Sequence, residues 1–136
     1  MRPYAKSIDL LRDAGLRPTR QRMALAKLLF DQEDRHVTAE TLHAQARSED
    51  IKVSLATVYN TLNQFRDAGL VREVVVEPGR SYFDTNVDNH HHFFNIDDGV
   101  LSDIPMSDVT VTSLPTPPPG TEIDRVDVVI RVSKPA

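Results

Sequence analysis

The 136-residue chain contains no cysteine. Without a partner chain it can hold no disulfide, zinc ribbon, thiolate-bound iron–sulfur cluster or thiolate-ligated haem. It also lacks an apolar run long enough for a membrane span. Met1-Arg2-Pro3-Tyr4 has none of the apolar character of a secretory signal, so a cytoplasmic location is the expectation. The rest, 40% hydrophobic and 26% charged, is a globular composition. It suffices for one domain of ordinary size or two small ones that lean on each other. Basic residues are scarce in one half only. Residues 1–84 carry 13 Lys and Arg against 12 Asp and Glu, while residues 85–136 carry 3 against 8. The net charge of −4 speaks against nucleic acid and the split speaks for it, so charge leaves that question open.

What is present is concentrated. Three of the five histidines stand together as His90-His91-His92, followed by Phe93-Phe94. On an extended segment side chains alternate, so His90 and His92 share one face and His91 takes the other. Two imidazoles on one face with carboxylates nearby are the start of a metal or haem site. His43 stands mid-helix without a partner pattern and reads as a surface residue. By burial statistics Phe93 and Phe94 read as core before haem wall.

The first half reads as helices with marked ends. Tyr4, Ile8, Leu11 and Ala14 recur at helical spacing, and Gly15 supplies a left-handed stop. Pro18 and Thr19 open a second helix, with Met23, Leu25, Leu28 and Leu29 facing inward. Thr38 caps a third helix to about Arg47. Ser54 caps a fourth, with Leu55, Val58, Leu62 and Phe65 as its buried stripe. Arg12-Asp13-Ala14-Gly15-Leu16 returns as Arg66-Asp67-Ala68-Gly69-Leu70, which is shared stop chemistry rather than a repeat. After Gly69 the pattern turns to strands: Val71 to Val76, a Pro78-Gly79 turn, then Ser81 to Asp84. Helices followed by a hairpin is the order of a winged helix-turn-helix.

A link, 85–89, leads to a β-rich segment, 90–136. There His90 to Ile96 and Val100 to Ile104 flank an Asp97-Asp98-Gly99 turn. The Pro115–Gly120 run is a loop, and Arg125 to Val132 is a last strand with Val126, Val128, Ile130 and Val132 on one face. Such a segment is marginal alone, and pairing two copies through the sheet is the natural remedy. The expected fold class is α+β: a winged helix-turn-helix at 1–84 and a small β-rich dimerisation domain after it.

In a helix-turn-helix the second helix offers its N-terminal turn to base edges. Here that turn is Ser54-Leu55-Ala56-Thr57-Val58-Tyr59-Asn60, with Ala56, Thr57, Asn60 and Asn63 outward and Tyr59 flanking the stripe. Arg17, Arg20 and Arg22 gather at the second helix, placed to hold phosphates. Winged helices also dock proteins, so spacing alone leaves both readings standing.

Gly15-Leu16-Arg17-Pro18-Thr19-Arg20-Gln21-Arg22, His36-Val37-Thr38-Ala39-Glu40 and Ser54-Leu55-Ala56-Thr57-Val58-Tyr59-Asn60-Thr61-Leu62 together resemble the ferric uptake regulator family. The resemblance runs from about Gly15 to Ile104. It implies a bacterial transcription regulator that binds A/T-rich inverted repeats of double-stranded DNA as a homodimer. Tyr59 falls where the family places a thymine-contacting tyrosine, and Arg17 where it places a basic residue near the minor groove. His36, Asp84, His90, His92 and Asp103 match the family's regulatory metal site. A metal there would clamp the two domains and set the spacing of two DNA-reading helices. Mixed imidazole and carboxylate ligands suit Fe(II), Mn(II) or Zn(II). His91 stands where many members have an aspartate of a second site, whose other ligands are missing because no histidine follows His92. Asn95 and Asp98 replace the first cysteine pair of the structural zinc site.

Within the family, His-His-His-Phe-Phe, the absence of cysteine and the Pro-rich loop before Glu122–Val129 resemble the iron response regulator branch. That implies haem as effector at His90, His91 and His92, release from DNA by haem, and a haem-delivering protein as partner. The alternative is a Mn(II)-, Fe(II)- or peroxide-responsive repressor with metal as co-repressor. Two histidines and a carboxylate also make the non-haem iron oxygenase triad. Those enzymes need a pocket in a many-stranded barrel, and this chain has too few strands. The expectation is a regulator rather than an enzyme.

Overall fold

Residues 5–13 commit to a helix because Ile8 and Leu11 fall on one side and Gly15 ends the run. In the computed structural model, which describes residues 5–136, α1 spans Ala5–Asp13. Tyr4, expected on its inner face, lies outside the described residues. Gly15 adopts φ +79°, the left-handed region that a side chain would strain. This lets Gly15 N–H reach the Arg12 carbonyl (3.0 Å) and Leu16 N–H the Leu11 carbonyl (2.8 Å), the two bonds of a Schellman stop. The second copy of the pentapeptide repeats this at φ +80°, with Leu70 N–H on the Phe65 carbonyl at 2.8 Å.

Three more helices follow. α2 (Arg20–Phe30) is capped by the Thr19 hydroxyl on Arg22 N–H, and α3 (Ala39–Ser48) by Thr38 and Thr41 in a reciprocal capping box. The sharp turn out of α3 puts Asp50 at φ +57°, tolerable because aspartate is among the few residues that visit this region. α4 (Leu55–Asp67) is capped by Ser54. Val58, Leu62 and Phe65 are fully buried, with Thr61 filling the fourth position. Leu55, expected in that stripe, is only partly buried and packs on its edge. These residues join Leu11, Leu25, Leu29 and Leu42 in one core, and each such side chain contributes about 1.5–3 kcal/mol.

The wing has three strands. β2 (Arg72–Glu77) and β3 (Arg80–Asp84) form the expected hairpin. A two-residue strand, β1 (His36–Val37), adds to the other edge of β3, giving the order β1-β3-β2. Two residues carry no readable alternation, which is why β1 did not show in the sequence. Contacts divide the chain after Val87.

The second unit, 88–136, is a separate sheet of order β5-β4-β6. β4 (His91–Asn95) and β5 (Leu101–Ile104) are antiparallel around a turn with Gly99 at φ +73°. Asn95 Oδ1 braces that turn by accepting from Asp97 N–H. β6 (Val129–Val132) lies parallel to β4. It begins later than the sequence suggested: Val126 and Val128 precede the paired stretch, and Ile130 is exposed. From Pro105 to Val128 the chain holds one short 3-10 turn (Met106–Asp108) and no strand.

Candidate functional site

The start of α4 is held at its cap. Ser54 Oγ accepts from Thr57 N–H (3.1 Å) and donates to Thr57 Oγ1 (2.9 Å). Both hydroxyls are thus engaged in capping α4, whose first turn leaves Ala56, Tyr59 and Asn60 exposed. Tyr59 is 40% accessible, yet its phenol is not left to water. It donates to Glu40 Oε1 on the first turn of α3. That bond holds the Glu40 carboxyl below its ordinary range and pushes the Tyr59 phenol up.

The arginines separate by role. Arg17 and Arg20 are exposed. Arg22 is turned inward: its Nε and Nη2 donate to Gln64 Oε1 (3.1 and 2.9 Å), and its Nη1 to the Arg17 carbonyl (2.9 Å). It is a strut that ties the Arg17 backbone to α4. His43, read as a surface residue, is half-buried with Nε2 at 3.0 Å from the Val53 carbonyl, so it pins α3 to the turn before α4.

Each unit carries one histidine–carboxylate set. In the first, β1–β3 register sets His36 directly opposite Asp84, and directly opposed residues share a face. His36 Nε2 stands 3.1 Å from Asp84 Oδ2. Asp84 Oδ1 meanwhile accepts from Asn86 N–H at 2.9 Å, which fixes the carboxylate. In the second unit, β4–β5 register sets His92 opposite Asp103, and His90 lies two residues back on that face. Asp103 Oδ1 is 3.2 Å from His90 Nε2 and 3.4 Å from His92 Nε2. The two rings are tilted with centroids 4.5 Å apart.

Proton placement decides what these contacts mean. His90 Nδ1 lies 2.5 Å from the Asp88 carbonyl, which only accepts, so Nδ1 carries the proton. The other nitrogen, Nε2, faces the Asp103 carboxylate oxygen; a neutral ring with its proton on Nδ1 presents a lone pair there, which suits a cation held between the two. Histidine ligands are commonly oriented in this way, with the second nitrogen donating to a carbonyl. Around one ion with bonds of about 2.0–2.2 Å, neighbouring ligand atoms stand about 3.0–3.5 Å apart. The contacts in both sets fall in that interval.

His91 is different. It is buried, and its Nδ1 accepts from Val128 N–H at 3.2 Å. The ring therefore stitches β4 to the segment leading into β6. Phe94 is buried and Phe93 exposed, following the alternation of the strand.

The sequence profile described as the ferric uptake regulator family covers residues 13–115. The chain belongs to the ferric uptake regulator family. Its members are transcription regulators and not enzymes, and they bind DNA as dimers. The chain is 35% identical over 103 residues to the ferric uptake regulation protein of Rhizobium leguminosarum, covering 74% of this chain and 72% of that protein. It is 42% identical over 88 residues to the peroxide-responsive repressor PerR of Staphylococcus aureus, covering 64% of this chain and 58% of PerR. A solved structure of the ferric uptake regulator from Pseudomonas aeruginosa with manganese superposes with a TM-score of 0.72 at 29% identity, covering 94% of this chain and 97% of that one. Among the described residues no helix is long and apolar enough to cross a membrane.

Proposed function

We propose that this protein is a metal-responsive transcription regulator that acts in the cytoplasm as a homodimer on A/T-rich inverted repeats. Arg17, Arg20, Ser54, Ala56, Thr57, Tyr59 and Asn60 meet the DNA, with Tyr59 against a thymine. One divalent ion, Fe(II), Mn(II) or Zn(II), takes His36 and Asp84 from one unit with His90, His92 and Asp103 from the other. The observation that carries this reading is the facing of His90 Nε2 and Asp103 Oδ1 at 3.2 Å, with His90 Nδ1 turned to the Asp88 carbonyl. When bound, the ion supplies positive charge that a mixed nitrogen and oxygen set holds well. Because it favours one arrangement of the two units, and DNA favours one too, the two ligands are coupled.

The finer reading is an iron response regulator freed from DNA by haem at His90, His91 and His92, with a haem-delivering protein as donor. The histidine run and exposed Phe93 support it; the burial of all three histidines and of Phe94 weighs toward a bare ion. One titration separates them. Purified dimer is presented with a labelled A/T-rich inverted repeat and given Mn(II), Fe(II) or haem in turn. Tighter binding with the metal is the expected result. Release by haem, with no response to either metal, would replace the metal reading with the haem one. Binding that never exceeds that to random duplex removes the regulator reading itself.

A further inference from the structure

The phenol of Tyr59 is held by Glu40, which also takes part in the start of α3. Glu40 sits in the first turn of α3, just inside the Thr38 cap, where a carboxylate is favoured by the helix N-terminus. Its Oε1 receives the Tyr59 hydroxyl from α4. The contact joins the two helices of the helix-turn-helix at the end where α4 meets solvent. Both side chains border an open groove of about 600 Å³ that Arg66 and the wing's Arg80 also line. Arg66 is itself tied to Glu73 at 2.7 Å, so the surroundings of the pair are fixed from the wing side.

Direction matters here. A carboxylate only accepts, so the phenol proton is spent on Glu40. What Tyr59 can still offer outward is the ring edge and the lone pairs of its oxygen. In the major groove, adenine N6 and cytosine N4 are donors, whereas thymine O4 and guanine O6 are acceptors. An untethered tyrosine hydroxyl could meet either kind. A tethered one meets only donors.

We propose that Glu40 is a specificity-determining residue, which sets the Tyr59 ring edge against the thymine and leaves its hydroxyl oxygen as an acceptor for the exocyclic amine of a neighbouring base. The proposal rests on the DNA reading given above and adds a residue and a polarity to it.

Wild type, Glu40→Leu, Tyr59→Phe and the double variant are each bound to a repeat that the wild type itself selects from a random pool. A shuffled duplex of equal length serves as reference. Leucine has no acceptor for the phenol. Glu40→Leu loses about tenfold of the preference for the repeat, within the range of one base contact. Tyr59→Phe loses a similar factor, and the double variant loses no more than Tyr59→Phe. In alkaline absorbance titration, the Tyr59 phenol of Glu40→Leu ionises at lower pH than in wild type, with Tyr59→Phe identifying the band. Full preference retained in Glu40→Leu overturns the proposal. So does an equal further loss when Glu40→Leu is placed on Tyr59→Phe, because Glu40 would then act without the phenol. If Glu40→Leu melts early, Tyr59→Phe leaves α3 untouched, and unchanged preference in it overturns the proposal alone. A wild type that selects no repeat strikes the DNA reading instead.

Discussion

The two units solve opposite problems. The winged helix, to Val87, gathers every member of the main hydrophobic core, from Leu11 to Phe83. The second unit buries only Phe94, Leu101 and Ile104 among its large apolar residues, beside three buried histidines. Of the eleven large hydrophobics left exposed among the described residues, Phe93, Ile96, Val100, Met106, Val111, Leu114, Ile123 and Ile130 belong to it. A unit that small cannot hold itself with so little burial. Its stability has to come from what covers it, which is why a second copy fits the proposal. In the proposed reading, the first unit is rigid by itself, while the second is completed by the ion and a second copy.

The comparison breaks most visibly if a core residue of the first unit proves cheap to remove. Phe65 is wholly buried and meets the Phe30 ring at 6.1 Å between centroids. Phe65→Ala should cost about 3–5 kcal/mol in urea unfolding, and a loss under 1 kcal/mol would contradict the assigned core. Next come the ligands. His36→Ala in one unit and His92→Ala in the other should each weaken Mn(II) binding at least about 10–100-fold, the cost of disturbing even an outer partner of a metal ligand. Isothermal titration decides it. If His36→Ala binds like wild type while His92→Ala does not, the second unit alone holds the ion and the five-residue proposal fails.

A smaller contrast uses glycine. Gly69 and Gly120 share a φ near +80°, and a Cβ added to either meets nothing within 4 Å. Only backbone strain separates glycine from alanine there. Gly69 is clamped by the α4 stop, so Gly69→Ala should cost about 1 kcal/mol. Gly120 lies in a loop braced by Thr121 bonds to the Pro118 carbonyl, at a site with more room to relax. Gly120→Ala should lower the melting temperature less, and equal losses would show the loop to be as firmly held as the helix end. Smallest is the cap: Thr19→Ala should cost about 1 kcal/mol or less by thermal melting, and no change would mean that water replaces the Thr19 hydroxyl fully.

The sequence exposed whatever has a local cause. Thr19, Thr38 and Ser54 announce helix starts, and Gly15 and Gly69 their ends, because caps act over three or four residues. β1 stayed hidden, since His36-Val37 forms a strand only through β3, nearly fifty residues on. The same distance explains Arg22, whose partner Gln64 is far along the chain, and Glu40, whose partner Tyr59 follows nineteen residues later. Spacing alone grouped His90 with His92. It could not supply His36, Asp84 and Asp103 as companions; family resemblance did, and strand register explains how each set comes to share a face.

One feature of the second sheet bears on how it is made. β4 lies between an antiparallel neighbour joined to it by residues 96–100 alone and a parallel one that the chain reaches only after Pro105 to Val128. The β4–β5 hairpin closes a short loop, whereas β4–β6 closes a long one whose entropy is lost before any ladder bond forms. During synthesis the hairpin can zip while β6 is still emerging. The edge that comes last is then also the first to open, and the amides of Val129 to Val132 should exchange with deuterium sooner than those of β4 paired to β5.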